Sequence, residues 1–204
     1  MTGIPTLYRG DSDPEGIRKL KREVFPCGTA YATLQTNLCN GGDGRALRNK
    51  GLKQAATQHC KGAWARTHFL SFSEDRTMAQ MFMLGADAKR APVPNPTRVY
   101  SSSAVVRGVI LVFDPKTMKV AAVASLPGFH VCQCRRPNGT GAGTVVLIDV
   151  QTAAPRCGID APYAEDEKEW LVLPFEPFTG ENAQPGELTG MIDVGFVQVE
   201  RYAW

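Results

Sequence analysis

Leu7-Tyr8-Arg9-Gly10-Asp11-Ser12, LYRGDS, admits two readings. As a peptide ligand, Arg-Gly-Asp-Ser is an adhesion tetrapeptide. As the end of a first strand, the apolar pair Leu7-Tyr8 delivers one arginine into a cleft. The choice decides the fold, because an arginine in a cleft needs partners from elsewhere in the chain. A short motif matches by chance too readily to stand on its own.

The chain has 204 residues, enough for a real core, and one domain over 1–204 is expected. Hydrophobic residues at 43% and charged residues at 21% fit a folded protein rather than a disordered one. A net charge of +3 permits contact with an anionic substrate without demanding a nucleic acid. No apolar run approaches the roughly 18–20 residues that cross a bilayer, so no membrane span is expected. The opening MTGIPTLYRG lacks the basic region and apolar stretch of a signal peptide. Six cysteines, Cys27, Cys39, Cys60, Cys132, Cys134 and Cys157, permit disulfides without demonstrating them. Cys132-Gln133-Cys134 lacks the spacing of a zinc site, and no second Cys/His pair complements it, so no metal is expected. Free thiols in a reducing compartment are the simpler reading.

Outward from LYRGDS, Asp13-Pro14-Glu15 reads as a helix start, with Ile17, Leu20 and Val24 at helical spacing. After the glycine-rich turn at 41–44, Ala46 to His59 reads as a helix bearing Lys and Arg. That helix is either a solvated face or a surface for a partner or nucleic acid. Thr67 to Ser73 alternates as a strand, and 74–84 as a helix with Met78, Met81 and Phe82 inward. APVPNPT at 91–97 must be a loop. Strands are expected at 105–114, 119–125, 144–150, 169–175 and 196–204. The glycine-rich loop at 134–144 has no Lys-Ser/Thr after it and is not a phosphate loop. Helices early and strands late predict an α+β fold.

Three features then stand together: Arg9 at the end of its strand, Ser71-Phe72-Ser73 at the end of another, and Asp166-Glu167-Lys168-Glu169 opening a third. In an extended chain i and i+2 share a face, which pairs Ser71 with Ser73 and Glu167 with Glu169. Two carboxylates on one face repel unless a cation, a hydroxyl network or a substrate offsets the repulsion.

This ordered set resembles the arginine–serine–glutamate class of mono-ADP-ribosyltransferases, the group that includes cholera toxin and heat-labile enterotoxin. LYRGDSDPEGI at 7–17 is similar to that family's opening strand and helix. FLSFSEDRTMAQMF at 69–82 is similar to its serine strand and the helix after it, and DEKEW at 166–170 to its glutamate strand. Phe72 stands where the family usually has threonine, and the stretch from Ser73 to Glu167 is long. The resemblance implies an ADP-ribosyltransferase-like core of two packed, mainly antiparallel sheets, with helices from the N-terminal half.

It also implies a reaction: NAD, as substrate and without a metal, is cleaved, and ADP-ribose passes to an acceptor. The first guess for that acceptor is a protein arginine. RNA or DNA is the alternative, for which Arg135-Arg136 and the basic helix speak, and a catalytically inactive binding domain is the third reading. On the enzyme reading Glu169 stabilises the ribose cation, and Glu167 orients or deprotonates the nucleophile. Arg9 holds the anionic part of NAD, and the backbone of Gly10 meets the nicotinamide carboxamide. Ser71 fixes Glu169, Ser73 braces the sheet, and Phe82 or Phe72 stacks on nicotinamide or packs in the core. Tyr163, in the loop Ile159 to Glu165, contacts the target, or else caps the sheet. His68 reads as structural. The family further implies a toxin or effector, secreted or injected into a target cell's cytoplasm and paired with a neutralising immunity protein. With these partners available to Arg9, the cleft reading of LYRGDS displaces the adhesion reading.

Overall fold

The computed structural model describes residues 3–12, 50–62, 69–85, 97–101, 103–115, 118–122, 127–135, 142–174, 188, 191–192 and 195–204. The helix expected from Asp13, His68, and most of the loops expected at 91–97 and 134–144 lie outside them.

The strands are β1 (Leu7–Asp11), β2 (Leu70–Ser73), β3 (Thr97–Arg98), β4 (Gly108–Phe113), β5 (Lys119–Ala122), β6 (Phe129–Arg135), β7 (Ala142–Asp149), β8 (Glu169–Pro174) and β9 (Val197–Ala203). The helices are α1 (Lys50–Cys60), α2 (Arg76–Met83), α3 (Val150–Cys157) and α4 (Ala164–Glu167). The fold is therefore mixed α+β. Every strand pairing is antiparallel, in the order β3-β9-β4-β1-β2-β8-β7-β6-β5.

One hydrogen-bonded sheet stands where two were expected, but it has a seam. Strands β1 and β2 meet at a single register pair, Tyr8 with Ser73. On either side the ladders are longer: β1 follows β4 from Leu7 to Asp11, and β2 follows β8 along its whole length. The halves flanking the seam share one apolar core. Leu7, Leu111, Phe113 and Val197 come from one half, and Leu70, Phe72, Leu147 and Val172 from the other.

The opposite face of each half is covered by helices. Ile110 and Tyr202 pack with Ala79 and Met83 of α2. Val146, Ile148, Leu171 and Leu173 pack with Ala55 and Ala56 of α1, Ala153 of α3 and Ala164 of α4. Successive residues such as Ile110 and Leu111, or Leu171 and Val172, thus enter different cores. That is why these strands read as continuous apolar runs instead of alternating ones.

Helices do not come only from the N-terminal half. Val150, expected to end a strand, begins α3, because the Asp149 carboxylate caps the turn by accepting from Thr152 N at 3.2 Å and Thr152 Oγ1 at 2.6 Å. The helix closes at Gly158 in the left-handed region (φ 66°), although Pro155 lies inside it. Strand β6 also escapes the sequence reading. Its mixed run His-Val-Cys-Gln-Cys has little strand character, and pairing with β7 from Phe129 to Arg135 supplies the order.

Helix α2 corrects an expected face. Ala79 and Met83 are its buried residues, while Phe82 is 42% exposed and Met78 and Met81 are half-buried. The reason lies beneath it, at Gly10. A Cβ there would stand 1.7 Å from the Ala79 carbonyl oxygen and 2.6 Å from Met83 N. The helix rests its backbone on a bare stretch of β1, and that contact fixes which side faces in. Arg76 anchors its start, pairing with Glu200, donating to Tyr202 Oη at 2.8 Å and lying over the Tyr8 ring.

Candidate functional site

Strands β1, β2 and β8 are consecutive in the sheet, and each delivers one residue to the same place. Arg9 Nη1 donates to the Ser71 carbonyl at 3.0 Å. The Ser71 hydroxyl donates to Glu169 Oε1 at 2.9 Å. Register explains the second contact: Ser71 pairs with Leu171, and Glu169, two residues earlier, shares that face of β8. Residues separated by 62 and 98 positions in sequence are so joined.

Two neighbours complete the group, and the sequence reading assigned neither. His59 on α1 is buried, with Nε2 2.8 Å from Ser71 Oγ and its ring edge-on to Phe69. Since the single Ser71 proton points at Glu169, Nε2 carries the proton and donates. Next to it lies the buried Cys60, whose thiol pKa is pushed up by burial and then by the charge of Glu169. The sequence did hold a signal for His59: it follows Ala55 by four residues, on the apolar stripe of α1.

Glu169 is 7% exposed. Burial is the main force raising its pKa, and the charge of Glu167 adds to it; the hydrogen bond from Ser71 pulls the other way. Glu167 does not reach this neighbourhood by the extended spacing that the sequence suggested. It is the last residue of α4, and Lys168 follows in the left-handed region at φ 46°, so the two glutamates are separated by a turn. Ser73 braces that turn and not a carboxylate. Its hydroxyl donates to the Glu167 carbonyl at 2.7 Å and accepts from Asp75 N at 2.9 Å. Glu74 N donates to the Lys168 carbonyl at 3.3 Å.

Arg9 is half-buried, and burial pulls its guanidinium pKa down against the opposing charge of Asp11. Its Nε is buried with no hydrogen-bond partner. A buried donor in that condition is costly, and an oxygen-rich anionic ligand would satisfy it. Gly10 is explained by α2 lying on it, without appeal to a ligand. Phe72 belongs to the shared core, edge-on to Phe113 with centroids 6.4 Å apart, so it is not a stacking surface. Phe82 and Tyr163 are both open to solvent, Tyr163 at 61% immediately before α4. No metal-holding group of three or more His, Cys, Asp or Glu occurs among the described residues. None of the described helices is long and apolar enough to cross a membrane.

Comparison with family models, with curated proteins and with solved structures finds no match to this chain.

Proposed function

We propose that the protein is a mono-ADP-ribosyltransferase, cleaving NAD and passing ADP-ribose to another protein, with arginine as the first acceptor. One observation carries the reading: Arg9, Ser71 and Glu169 are linked across three adjacent strands and end in a buried carboxylate.

The bond that breaks joins C1′ of the ribose to the nicotinamide nitrogen. Its electron pair goes to that nitrogen, nicotinamide leaves neutral, and no general acid is needed. Positive charge develops at C1′ and the ring oxygen, as in glycoside hydrolysis. Glu169, oriented by Ser71, accepts from the ribose 2′-hydroxyl and opposes that charge. Its raised pKa fits this role, because the cationic nicotinamide riboside of NAD favours the ionised carboxylate when it arrives. The free Nε of Arg9 suits the anionic side of NAD through a charge-assisted bond. Glu167, at the end of α4 beside the open Tyr163, takes the proton from the attacking nitrogen. A guanidinium is charged near neutrality, so a carboxylate there serves both docking and deprotonation. Release as a toxin or effector, and control by a neutralising partner, belong to the same proposal and rest on the sequence resemblance.

The test is incubation with NAD labelled in its adenylate phosphate and a cell lysate. Label on protein, lost in Glu169→Gln, supports the reading. Label removed by nuclease would transfer the proposal to a nucleic-acid acceptor. No label and no released nicotinamide would refute it.

Two variants separate the roles. Glu167→Ala is expected to lower transfer to the acceptor by about 10²-fold, the usual reach of general base catalysis, and to spare slow hydrolysis of NAD by water. Equal loss of both would assign Glu167 to NAD itself. Arg9→Lys keeps the charge but loses the planar fork. Its NAD dissociation constant is expected to rise by the equivalent of about 1.5–3 kcal/mol, the size of a charged hydrogen bond. Calorimetric titration giving the parent affinity would remove Arg9 from the NAD site.

A further inference from the structure

We infer that Lys168 is a positioning residue for the acceptor step: its left-handed backbone holds Glu167 apart from Glu169, so that one carboxylate serves the ribose and the other the incoming nucleophile. The inference rests on the proposed reaction for its kinetic consequence, and on the backbone and its contacts for its geometry.

One residue lies between the end of α4 at Glu167 and the start of β8 at Glu169, so the whole change of direction falls on it. Lys168 takes φ 46° and ψ 51°, and it is the one non-glycine residue with positive φ among the described residues. Helix α3 ends in the same left-handed cap but uses glycine, Gly158 at φ 66°. Lysine holds the conformation at 168 because the turn is pinned on both sides. Gln151 Nε2 of α3 donates to the carbonyls of Ala164 at 3.3 Å and Glu165 at 3.2 Å. From the end of β2, the Ser73 hydroxyl donates to the Glu167 carbonyl at 2.7 Å, and Glu74 N to the Lys168 carbonyl at 3.3 Å. Asp75, which caps α2 by accepting from Thr77 N at 2.8 Å, lies 3.7 Å from Lys168 Nζ. A sparsely populated backbone conformation persists only where its surroundings over-determine it, and these contacts do so.

The turn gives the two carboxylates different surroundings. An extended Lys168 would set Glu167 and Glu169 on one face, as residues i and i+2, with their charges opposed. With the turn in place, Glu169 is buried and accepts from Ser71. Glu167 is half-buried at the end of α4, the short helix that the exposed Tyr163 precedes. Lys168 acts through Glu167, by conformation. Its ammonium is half-exposed, and an ion pair in that condition contributes little.

The experiment separates backbone from side chain at 168. Glycine enters the left-handed region freely, asparagine tolerates it and valine resists it, and none of them carries the ammonium. The full chain is labelled with ¹³C-glutamate, and the carboxyl signals of Glu167 and Glu169 are identified by their absence in Glu167→Ala and Glu169→Gln. Both signals are expected to match the parent in Lys168→Gly and Lys168→Asn, and the Glu167 signal to move in Lys168→Val. Transfer to the acceptor is expected to stay within about 3-fold in Lys168→Gly and Lys168→Asn, as the loss of an exposed ion pair allows. In Lys168→Val it is expected to fall about 10- to 100-fold, the cost of misplacing a reacting group by about 1 Å, while hydrolysis of NAD by water is kept. On a Glu167→Ala background Lys168→Val is expected to lose no further transfer, because the two residues act as one unit. If valine prevents folding, Lys168→Thr, also β-branched, is read in its place. An unmoved Glu167 signal in the β-branched variant would overturn the inference. So would equal losses in Lys168→Gly and Lys168→Val, which would place the role in the ammonium, or transfer and hydrolysis falling together, which would leave Lys168 a part of the fold alone. A moved Glu167 signal with no transferase activity in any form, the parent included, would sustain the positioning and refute the proposed reaction.

Discussion

On the proposed chemistry Glu169→Gln is expected to lose ADP-ribose transfer by about 10²-fold or more, the scale on which removing one preorganised charge-stabilising group acts, and yet to melt at a higher temperature than the parent near neutral pH. The first half follows from the proposed chemistry: glutamine keeps the shape and accepts from Ser71, but it carries no charge to oppose the developing cation. The second half follows from burial. Folding raises the pKa of Glu169 above its unfolded value, chiefly by desolvation. The stability tied to that group is then fully present below the unfolded value, about 4.3, and is lost as pH rises through the folded value. Glutamine cannot ionise and escapes the loss. The gain in melting temperature is therefore largest near neutrality and fades as pH falls toward the unfolded value. Melting curves at several pH values, with nicotinamide release from the same preparations, measure both halves. A variant that melts lower than the parent at neutral pH would mean that the ionised carboxylate supports the fold; undiminished transfer would remove Glu169 from the reaction.

Gly10→Ala has the other large effect, on the fold itself. The added methyl would meet the Ala79 carbonyl oxygen at 1.7 Å and Met83 N at 2.6 Å. Both are backbone atoms in α2, so no side-chain rotation relieves the clash; the helix must lift from β1. Overpacking usually costs 1–3 kcal/mol and sometimes more, and this site belongs at the upper end, about 3 kcal/mol. For a chain of this size that corresponds to a melting temperature lower by roughly 6–12 °C. Gly3→Ala is the control: nothing lies within 4 Å of a Cβ there, and its melting point is expected to match the parent. If the two variants melt alike, the packing of α2 on β1 is misassigned.

How far the sequence revealed this depends on how local each cause is. The apolar runs of β4, β7 and β8 announce themselves, because burial on both faces removes polar residues from the middle of a strand. Arg9, Ser71 and Glu169 were legible as strand-end polar residues beside such runs. His59 was not, since its meaning lies in a partner, Ser71, that β2 brings to it. The same-face argument for Glu167 and Glu169 failed on one residue. Lys168 adopts a left-handed conformation that lysine rarely takes, and nothing in Asp-Glu-Lys-Glu signals it. The inward face of α2 was misread because helical spacing ranks Met and Phe above Ala, whereas the close approach at Gly10 selects Ala79. The expected pair of sheets became one ladder with a shared core on each side of a seam.

That seam also sets how function and folding depend on each other. Arg9 belongs to the half of the sheet built on β4 and β9, and Ser71 and Glu169 to the half built on β8 and β7. A single pair, Tyr8 with Ser73, bridges their backbones, so neither half alone contains the group. A chain with only one half formed would own an arginine or a carboxylate, never both in register. The constellation is thus an all-or-none product of assembly: it comes into being at the moment the halves close on their common core, and any variant that loosens that closure silences it from a distance.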